Sequence, residues 1–173
     1  MKFKLMLMTL TMFLLAIGVA CSKQQSVSYK TSVKNALEQA DLKDVNVSED
    51  VDKNTITLGG TLHSDDAKQR AGDVAKASAG TRVVVNEVSV QPLGMESESK
   101  DIASNLDDGI EKNYKAALIS KGLSKEHIKF DAKNGVLTLK GDVKTTAERA
   151  QAEQLAQAVP NVQQVLNEID VKR

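Results

Sequence analysis

The sequence predicts an α+β fold of two tandem αββαβ modules, each a three-stranded sheet packed by two helices. Two observations support this prediction. When the chain is shifted by 81 positions, residues 34–90 align with residues 115–171 without a gap. Within each copy, apolar residues recur at helical spacing, then at every second position, then at helical spacing again before a final apolar run. Solenoid repeats span roughly 20 to 50 residues, so each of these longer copies should form a domain.

The two copies also share residues. Between residues 55–90 and 136–171, ten of the 36 aligned positions are identical. In the first copy these are Thr57, Leu58, Gly60, Ala71, Ala75, Ala77, Val84, Asn86, Glu87 and Val90. A domain of this size buries only about 60% of the surface of its unfolded chain, so we expect the two modules to pack together.

Each module begins with a helix, followed by a hairpin of two strands. The helix is predicted from apolar residues at helical spacing: Val33, Ala36, Leu37 and Ala40, then Ile110, Tyr114, Ala117 and Leu118. Alternating apolar residues then predict the two strands. In the second copy, Asn134-Gly135 between the strands is a strong hairpin signal, because both turn positions need a positive φ. Its counterpart Lys53-Asn54 is a weaker one.

A second helix and a third strand complete each module. Ser64 and Thr145 are placed to cap the second helix, and Gly80 and Pro160 mark where it ends. Apolar runs at residues 84–90 and 165–171 predict the third strand. The second copy has Asn161 where the first has Gly80, and asparagine also tolerates the left-handed backbone region.

These patterns divide the chain into four parts. Residues 1–20 combine a basic start with an uncharged apolar run too short to span a membrane, which is typical of a signal peptide. Residues 28–91 form the first module and residues 101–173 the second. Residues 92–100 have a turn-like start and a polar middle, and are predicted to be the linker.

Cys21 is the predicted lipid attachment site. Gly18-Val19-Ala20-Cys21 resembles the lipobox of bacterial lipoproteins, in which cleavage leaves a lipidated cysteine as the first residue. In the enterobacterial rule, Ser22 at the next position permits sorting to the outer membrane, facing the periplasm. The same residues also fit ordinary secretory cleavage, which would release a soluble periplasmic protein. Cys21 is the only cysteine, so no internal disulfide and no thiol pair for zinc is expected.

Composition argues against several classes of function. Removing Lys2 and Lys4 with the signal leaves 21 basic and 23 acidic side chains, a balance of −2, which argues against a nucleic-acid partner. The only two histidines, His63 and His127, lie at non-equivalent positions without a nearby cysteine or second histidine, so no metal site is expected. We find no catalytic constellation and no phosphate-binding loop, and we expect neither enzymatic activity nor a cofactor.

The repeated motifs resemble the BON domain, named for bacterial OsmY and nodulation proteins. Leu58-Gly59-Gly60-Thr61-Leu62 and Leu139-Lys140-Gly141-Asp142-Val143 each precede a capped helix, and each copy closes on a strand containing Asn-Glu. The resemblance implies an αββαβ fold and a non-enzymatic envelope role, with membrane association and osmotic or envelope-stress protection as the usual context. A signal, a lipobox and two such domains most resemble DolP-type outer-membrane lipoproteins, with soluble OsmY-type proteins second.

Four residues of these motifs are candidate structural positions. Gly60 and Gly141 fall on the apolar face of the second strand, where we expect them to make room for the second helix. Asn86 and Asn167 are polar residues on an apolar strand face, and we expect each to hydrogen-bond neighbouring backbone. The adjacent Glu87 and Glu168 are expected to be solvated or paired surface acids.

The candidate membrane-facing surface is the helix predicted over residues 102–123. It combines an apolar stripe with Lys112, Lys115 and Lys121, as suits an anionic phospholipid interface. Asp107, Asp108 and Glu111 in the same helix argue against this. The favoured alternative is that the stripe is buried in the module's own core or against the first module.

Two functions therefore stand after sequence analysis. The first is a lipid-anchored protein that associates with membrane phospholipid and supports outer-membrane integrity. The second is a periplasmic adaptor, soluble or anchored, that binds envelope proteins, or a stress protein of the OsmY type. The sequence does not assign an oligomeric state.

Overall fold

The structure is a computed structural model that describes residues 28–123 and 127–172. The predicted signal peptide and Cys21 lie outside the described residues. Its elements in chain order are α1 (Lys30–Gln39), β1 (Val45–Asp50), β2 (Thr55–Leu62), α2 (Asp65–Ser78), β3 (Val83–Asn86), β4 (Ser89–Val90), α3 (Glu96–Ser120), β5 (His127–Lys133), β6 (Val136–Val143), α4 (Thr146–Gln157) and β7 (Gln164–Val171). We call the part up to β4 module 1 and the part from α3 onward module 2.

The two modules have the same sheet topology. In module 1, β2 pairs antiparallel with β1 and parallel with β3 and β4. In module 2, β6 pairs antiparallel with β5 and parallel with β7. The predicted α+β fold with two tandem modules is confirmed.

The third strand of module 1 differs from the prediction because it is interrupted. The strand is divided into β3, which ends at Asn86, and β4, which begins at Ser89. In module 2, β7 is continuous. At the break, the amide of Glu87 still donates to the carbonyl of Leu58. The amide of Val88 donates instead to the side-chain oxygen of Asn86, 3.4 Å away.

The predicted turns and caps are present. Asn134 and Gly135 have φ values of 49° and 82° and join Lys133 directly to its partner Val136. The Ser64 and Thr145 side chains accept hydrogen bonds from the first turn of α2 and α4, and Thr145 forms a reciprocal capping box with Glu148. Asn161 has a φ of 66°, close to the 59° of Gly80, so asparagine does fill the left-handed position in module 2.

Helix α3 is longer at its start, and ends earlier, than the sequence pattern indicated. It begins at Glu96, so residues 96–100, which sequence analysis assigned to the linker, are helical. Acidic residues in its first turn suit the helix dipole, a stabilising factor that apolar periodicity does not detect. It ends at Ser120 rather than at Leu123, because Gly122 adopts a φ of 74° that an α-helix cannot continue through.

Each module has its own apolar core. The core of module 1 lies between its sheet and helices α1 and α2, and includes Val33, Leu37 and Ile56. The core of module 2 is built around Tyr114 and Leu137, which are both fully buried. No residue belongs to both clusters. The two modules therefore have separate cores.

Candidate functional site

Gly60 and Gly141 are required by the backbone rather than by helix packing. They have φ values of 102° and 108°, a region that side-chain-bearing residues rarely adopt. A Cβ at Gly60 would collide with the carbonyl oxygen of Asp44, and one at Gly141 with that of His127. The expectation that they face the second helix is therefore wrong: the close neighbour is the start of the first strand.

Asn86 and Asn167 tie the third strand of each module to its second helix. Asn86 donates from its side-chain amide to the carbonyl of Lys68 at 2.8 Å. Asn167 donates to the Glu153 carboxylate at 2.9 Å, and to the carbonyl of Arg149 at 3.5 Å. Both side-chain oxygens accept an amide two residues further on. Backbone contacts of this kind are what the sequence suggested for these positions.

Glu87 and Glu168 form ion pairs that cross between the modules. Glu87 lies 2.8 Å from Lys133 at the end of β5. Glu168 lies 2.8 Å from Lys53, in the loop between β1 and β2. Sequence analysis allowed for paired acids but did not identify these partners, because nothing in the local pattern links positions so far apart along the chain.

A groove of about 460 Å³ lies between the modules. We call it the inter-module groove and define it by Lys68, Val90, Pro92, Ile102, Leu106 and Val162. Lys68 is largely buried there and donates to the carbonyl of Asn134 at 2.9 Å. Burial lowers the pKa of the Lys68 ammonium, an effect opposed by the negative charges of Asp65 and Asp107.

The apolar stripe of α3 is divided between core and surface. Ile110, Tyr114 and Leu118 are buried in module 2, as the favoured alternative from the sequence requires. Earlier in the helix, Ile102 is 57% and Leu106 45% exposed, and both line the inter-module groove. The early part of this stripe therefore lines the groove, and the later part packs in the core of module 2.

The three candidate lysines in and just after α3 are exposed. Two of the acids that argued against a membrane-facing surface instead form hydrogen bonds to backbone amides. Lys112, Lys115 and Lys121 are exposed and form no ion pair with the part of the chain that the structure describes. Asp107 accepts the backbone amides of Asn134 and Gly135 at 2.7 and 3.0 Å, and Glu111 accepts that of Ala132 at 3.0 Å. Their carboxylates thus hold the β5–β6 hairpin.

Ile119 completes this exposed surface. It is 57% exposed and lies seven positions after Lys112 and four after Lys115, so the three share one side of the helix. Asp108 is the acid of the predicted opposing set that remains exposed near them. We call Lys112, Lys115 and Ile119 the α3 face.

One buried network was missed entirely by sequence analysis. Glu49 and Arg82 lie 2.9 Å apart with side chains only 4% and 8% exposed. Hydrogen bonds from the Ser28 hydroxyl, the Tyr29 and Lys30 amides and the Arg82 guanidinium lower the pKa of Glu49 to about 2, against the opposing effect of burial. The two charged residues stand 33 positions apart, and no local pattern connects them.

The described residues contain neither a cluster of metal ligands nor a helix that could span a membrane. Within residues 28–123 and 127–172, no group of three or more acidic, histidine or cysteine side chains could hold a metal ion. His63 lies near the carbonyl of Gln91 and His127 near Asp142, so the structure does not bring the two histidines together. Over the same residues, no helix is both long and apolar enough to cross a bilayer.

Comparison with known families places these features in context. Residues 28–92 and residues 106–173 each match the model of the BON domain. The chain belongs to the BON family. The BON motifs that sequence analysis pointed to, around Gly60 and Asn86 and around Gly141 and Asn167, lie within these two matches.

A curated relative is similar to this chain over most of its length. The chain is 30% identical over 142 residues to osmotically-inducible protein Y of Escherichia coli (strain K12). The aligned part covers 81% of this chain and 69% of the relative.

The solved structures that it resembles are more distant. One is CdsD, a structural protein of the type III secretion system of Chlamydia trachomatis, with 11% identity and a TM-score of 0.37 over 82% of this chain and 91% of that one. The other is the C-terminal domain of CdsD, with 13% identity and a TM-score of 0.35 over 85% and 98% of the two chains. Overlaps this loose support no conclusion about function.

Proposed function

We propose that this protein is a non-enzymatic envelope lipoprotein, anchored through Cys21 in the outer membrane, whose BON modules associate with anionic phospholipid on the periplasmic side. Its role is to support membrane integrity under osmotic or envelope stress. Membership of the BON family and the relationship to osmotically-inducible protein Y favour the stress-related role. The lipobox-like residues before Cys21 favour the anchor.

The composition of the α3 face is the observation that carries the membrane association. Lys112 and Lys115 share one side of the helix with the exposed Ile119, and the neighbouring Asp107 and Glu111 are occupied by hydrogen bonds to the β5–β6 hairpin. A lysine close to an anionic membrane contributes about 1 kcal/mol. An exposed isoleucine on the same side as the two lysines adds apolar area that can enter the headgroup boundary.

The anchor would make a weak contact of this kind effective. Six residues separate Cys21 from Ser28. A fully extended chain spans at most about 3.5 Å per residue, so the anchor would keep Ser28 within roughly 25 Å of the bilayer. Tethering raises the effective concentration of lipid at the protein surface, and modest affinity is then sufficient.

Vesicle binding tests the membrane association without the anchor. The mature chain carrying Cys21→Ser is sedimented with vesicles of phosphatidylglycerol mixed with phosphatidylcholine, and with vesicles of phosphatidylcholine alone. We expect binding to the anionic vesicles that weakens as salt is added, because charge attraction is screened. No binding to anionic vesicles would exclude a direct headgroup role.

The anchor is tested separately by the mass of the mature N-terminus from isolated outer membranes. We expect Cys21 as the first residue with attached acyl chains. An unmodified Cys21 in the soluble periplasmic fraction would contradict the anchor and favour a soluble protein of the OsmY type.

The inter-module groove favours a second candidate, a periplasmic adaptor that binds envelope proteins. Ile102 and Leu106 are exposed along it, and Leu93 and Met95 in the segment that joins the modules are 75% and 52% exposed. Such clustered apolar side chains are typical of interaction sites. An envelope protein that co-purifies with the wild-type chain but not with a Leu106→Asp variant, while vesicle binding is absent, would favour this function over the first.

A further inference from the structure

The contact between the two modules includes a set of polar and charged side chains beside the apolar lining of the inter-module groove. The amide group of the Gln164 side chain bridges the edge of β3, donating to the carbonyl of Val84 at 2.8 Å and accepting the amide of Asn86 at 3.3 Å. Asn134 accepts from Lys68 through its carbonyl and donates from its side chain to the carbonyl of Glu87. Since the two apolar cores share no residue, the modules are not joined by a common core.

The ion pairs in this contact are reciprocal. Glu87 and Glu168 occupy equivalent positions in the two copies, 81 residues apart. Each pairs with a lysine of the other module. Glu87 pairs with Lys133 at the end of β5, and Glu168 pairs with Lys53 in the loop between β1 and β2. Glu168 also lies 4.0 Å from Lys140 of its own module. Both ion pairs between the modules therefore favour the state in which the modules are in contact.

We propose that the two reciprocal ion pairs form a salt-sensitive latch, so that ionic strength sets whether the modules are closed on one another or apart. The carboxylates are mostly covered, with 19% and 14% of their side chains exposed, but Lys133 and Lys53 are 59% and 47% exposed. Mobile ions therefore reach the lysine side of each pair. The Debye length falls from about 10 Å at 0.1 M to about 3 Å at 1 M, so added salt weakens the attraction within these two pairs.

The hydrogen bonds between the modules allow the latch to open while each module stays folded. When the modules part, water can replace the partners of the Gln164 and Asn134 side chains, and it can replace the Asn134 carbonyl as the acceptor of the Lys68 ammonium. The hydrogen bonds that hold Asn86 to Lys68 and Asn167 to Arg149 lie within one module and remain. Opening moves apart the two walls of the inter-module groove, with Val90 on one side and Leu106 on the other.

Single-molecule energy transfer tests the latch on the mature chain. In a Cys21→Ser background, dyes are attached at Lys43→Cys in module 1 and Lys129→Cys in module 2, both exposed positions. We expect the ratio of open to closed molecules to rise about threefold or more between low and high sodium chloride, since two partly exposed pairs are screened together. Sucrose at the same osmolality should leave the modules closed, because osmolytes favour compact states.

Charge-removing and charge-swapping variants separate the latch from other salt effects. Glu87→Gln with Glu168→Gln should be open already at low salt and lose most of the salt response. Glu38→Gln, which removes only the exposed pair with Lys34 inside α1, is the matched control and should behave as wild type. Glu87→Lys combined with Lys133→Glu should restore closure and the salt response.

Three results would overturn the proposal. They are an energy-transfer efficiency that does not change with salt, an equal change with sucrose, and a salt response that survives in Glu87→Gln with Glu168→Gln. Circular dichroism of each variant shows whether both modules stay folded, and the charge-swapped pair gives an independent outcome should the double glutamine variant unfold.

Discussion

The two modules differ in the side chains that pack where the first helix, the first strand and the start of the third strand meet. We call this region the joint of each module. In module 1, Glu49 on β1 pairs with Arg82 before β3, and the guanidinium lies 5.9 Å from the centre of the Tyr29 ring. In module 2, the position equivalent to Glu49 is Phe130, whose ring meets that of Tyr114 edge-on with centroids 5.1 Å apart. One backbone plan thus accepts either a buried ion pair or an aromatic pair.

This difference shows what the repeated fold does and does not require. The positions identical in both copies, such as Gly60 and Gly141, serve the backbone. The chemistry that fills the joint is free to vary because it needs only to occupy the space and to leave no buried polar group without a partner. The joint of module 1 contains the titratable Glu49 carboxyl, whereas the joint of module 2 is formed by an aromatic pair.

Tyr114→Ala should have the largest effect on stability. Tyr114 is fully buried, contacts Phe130 and donates to the carbonyl of Ala152 at 3.1 Å, so truncation leaves a cavity and removes a buried hydrogen bond. We expect the free energy of unfolding of module 2 to fall by about 4 kcal/mol. Val33→Ala at the equivalent position of module 1 is the matched comparison and should cost less, because fewer atoms are removed. Hydrogen exchange resolved by module measures both, and equal losses would contradict the importance of the aromatic pair.

Glu49→Leu should destabilise module 1 almost as much. It leaves the Arg82 guanidinium, only 8% exposed, without its buried carboxylate. Removing one member of a buried pair costs about 3 kcal/mol. Transplanting the residues of module 2, as Glu49→Phe with Arg82→Gln, removes both charges and should recover most of that loss. Urea unfolding measures each variant, and a transplant no more stable than Glu49→Leu would show that the two joints are not interchangeable.

Acid should weaken module 1 through Glu49. Its pKa is lowered from 4.5 to about 2 in the folded protein, so the unfolded chain binds a proton more readily. The stabilisation is therefore fully present above about pH 4.5 and is lost as the pH falls toward 2. The chain has two tyrosines and no tryptophan, so Tyr29 fluorescence in a Tyr114→Phe background reports on module 1 alone. A Glu49→Gln variant should lack this acid-dependent loss; an unchanged pH dependence would assign it to other groups.

The smallest effect concerns the left-handed residue after the second helix. A Cβ at Gly80 would collide with the Tyr29 ring, whereas the equivalent of Tyr29 in module 2 is Ile110 and the equivalent of Gly80 is Asn161. Gly80→Asn should therefore cost about 1 to 2 kcal/mol. Asn161→Gly should change stability by less than about 0.5 kcal/mol. Thermal unfolding of the two variants compares them, and equal costs would mean that the Tyr29 ring can move aside.

The sequence predicted the features that depend on neighbouring residues. The Ser64 and Thr145 caps, the Asn134-Gly135 turn and the tolerance of Asn161 for a positive φ all follow from local chemistry, and all are present. The repeat itself predicted that two modules would share one topology.

Features set by distant contacts or by the backbone were not predictable in this way. Alternation placed Gly60 on the face of the helix, but its positive φ breaks the alternation and brings it against the carbonyl of Asp44. The inward orientation of Asp107 and Glu111 depends on a hairpin more than 20 positions away, so counting charges along α3 underestimated how basic its exposed surface is. The pairing of Glu49 with Arg82 likewise requires the folded chain.

The membrane association of module 2 is the central claim, and one matched pair of charge reversals tests it most directly. Lys115 in α3 and Lys34 in α1 are equivalent positions, both exposed. Vesicle sedimentation of the mature chain with Cys21→Ser is compared for Lys115→Glu and Lys34→Glu. The account predicts that Lys115→Glu weakens binding to anionic vesicles about tenfold, since it replaces an attraction with a repulsion, and that Lys34→Glu leaves it nearly unchanged. Equal binding by the two variants would contradict it.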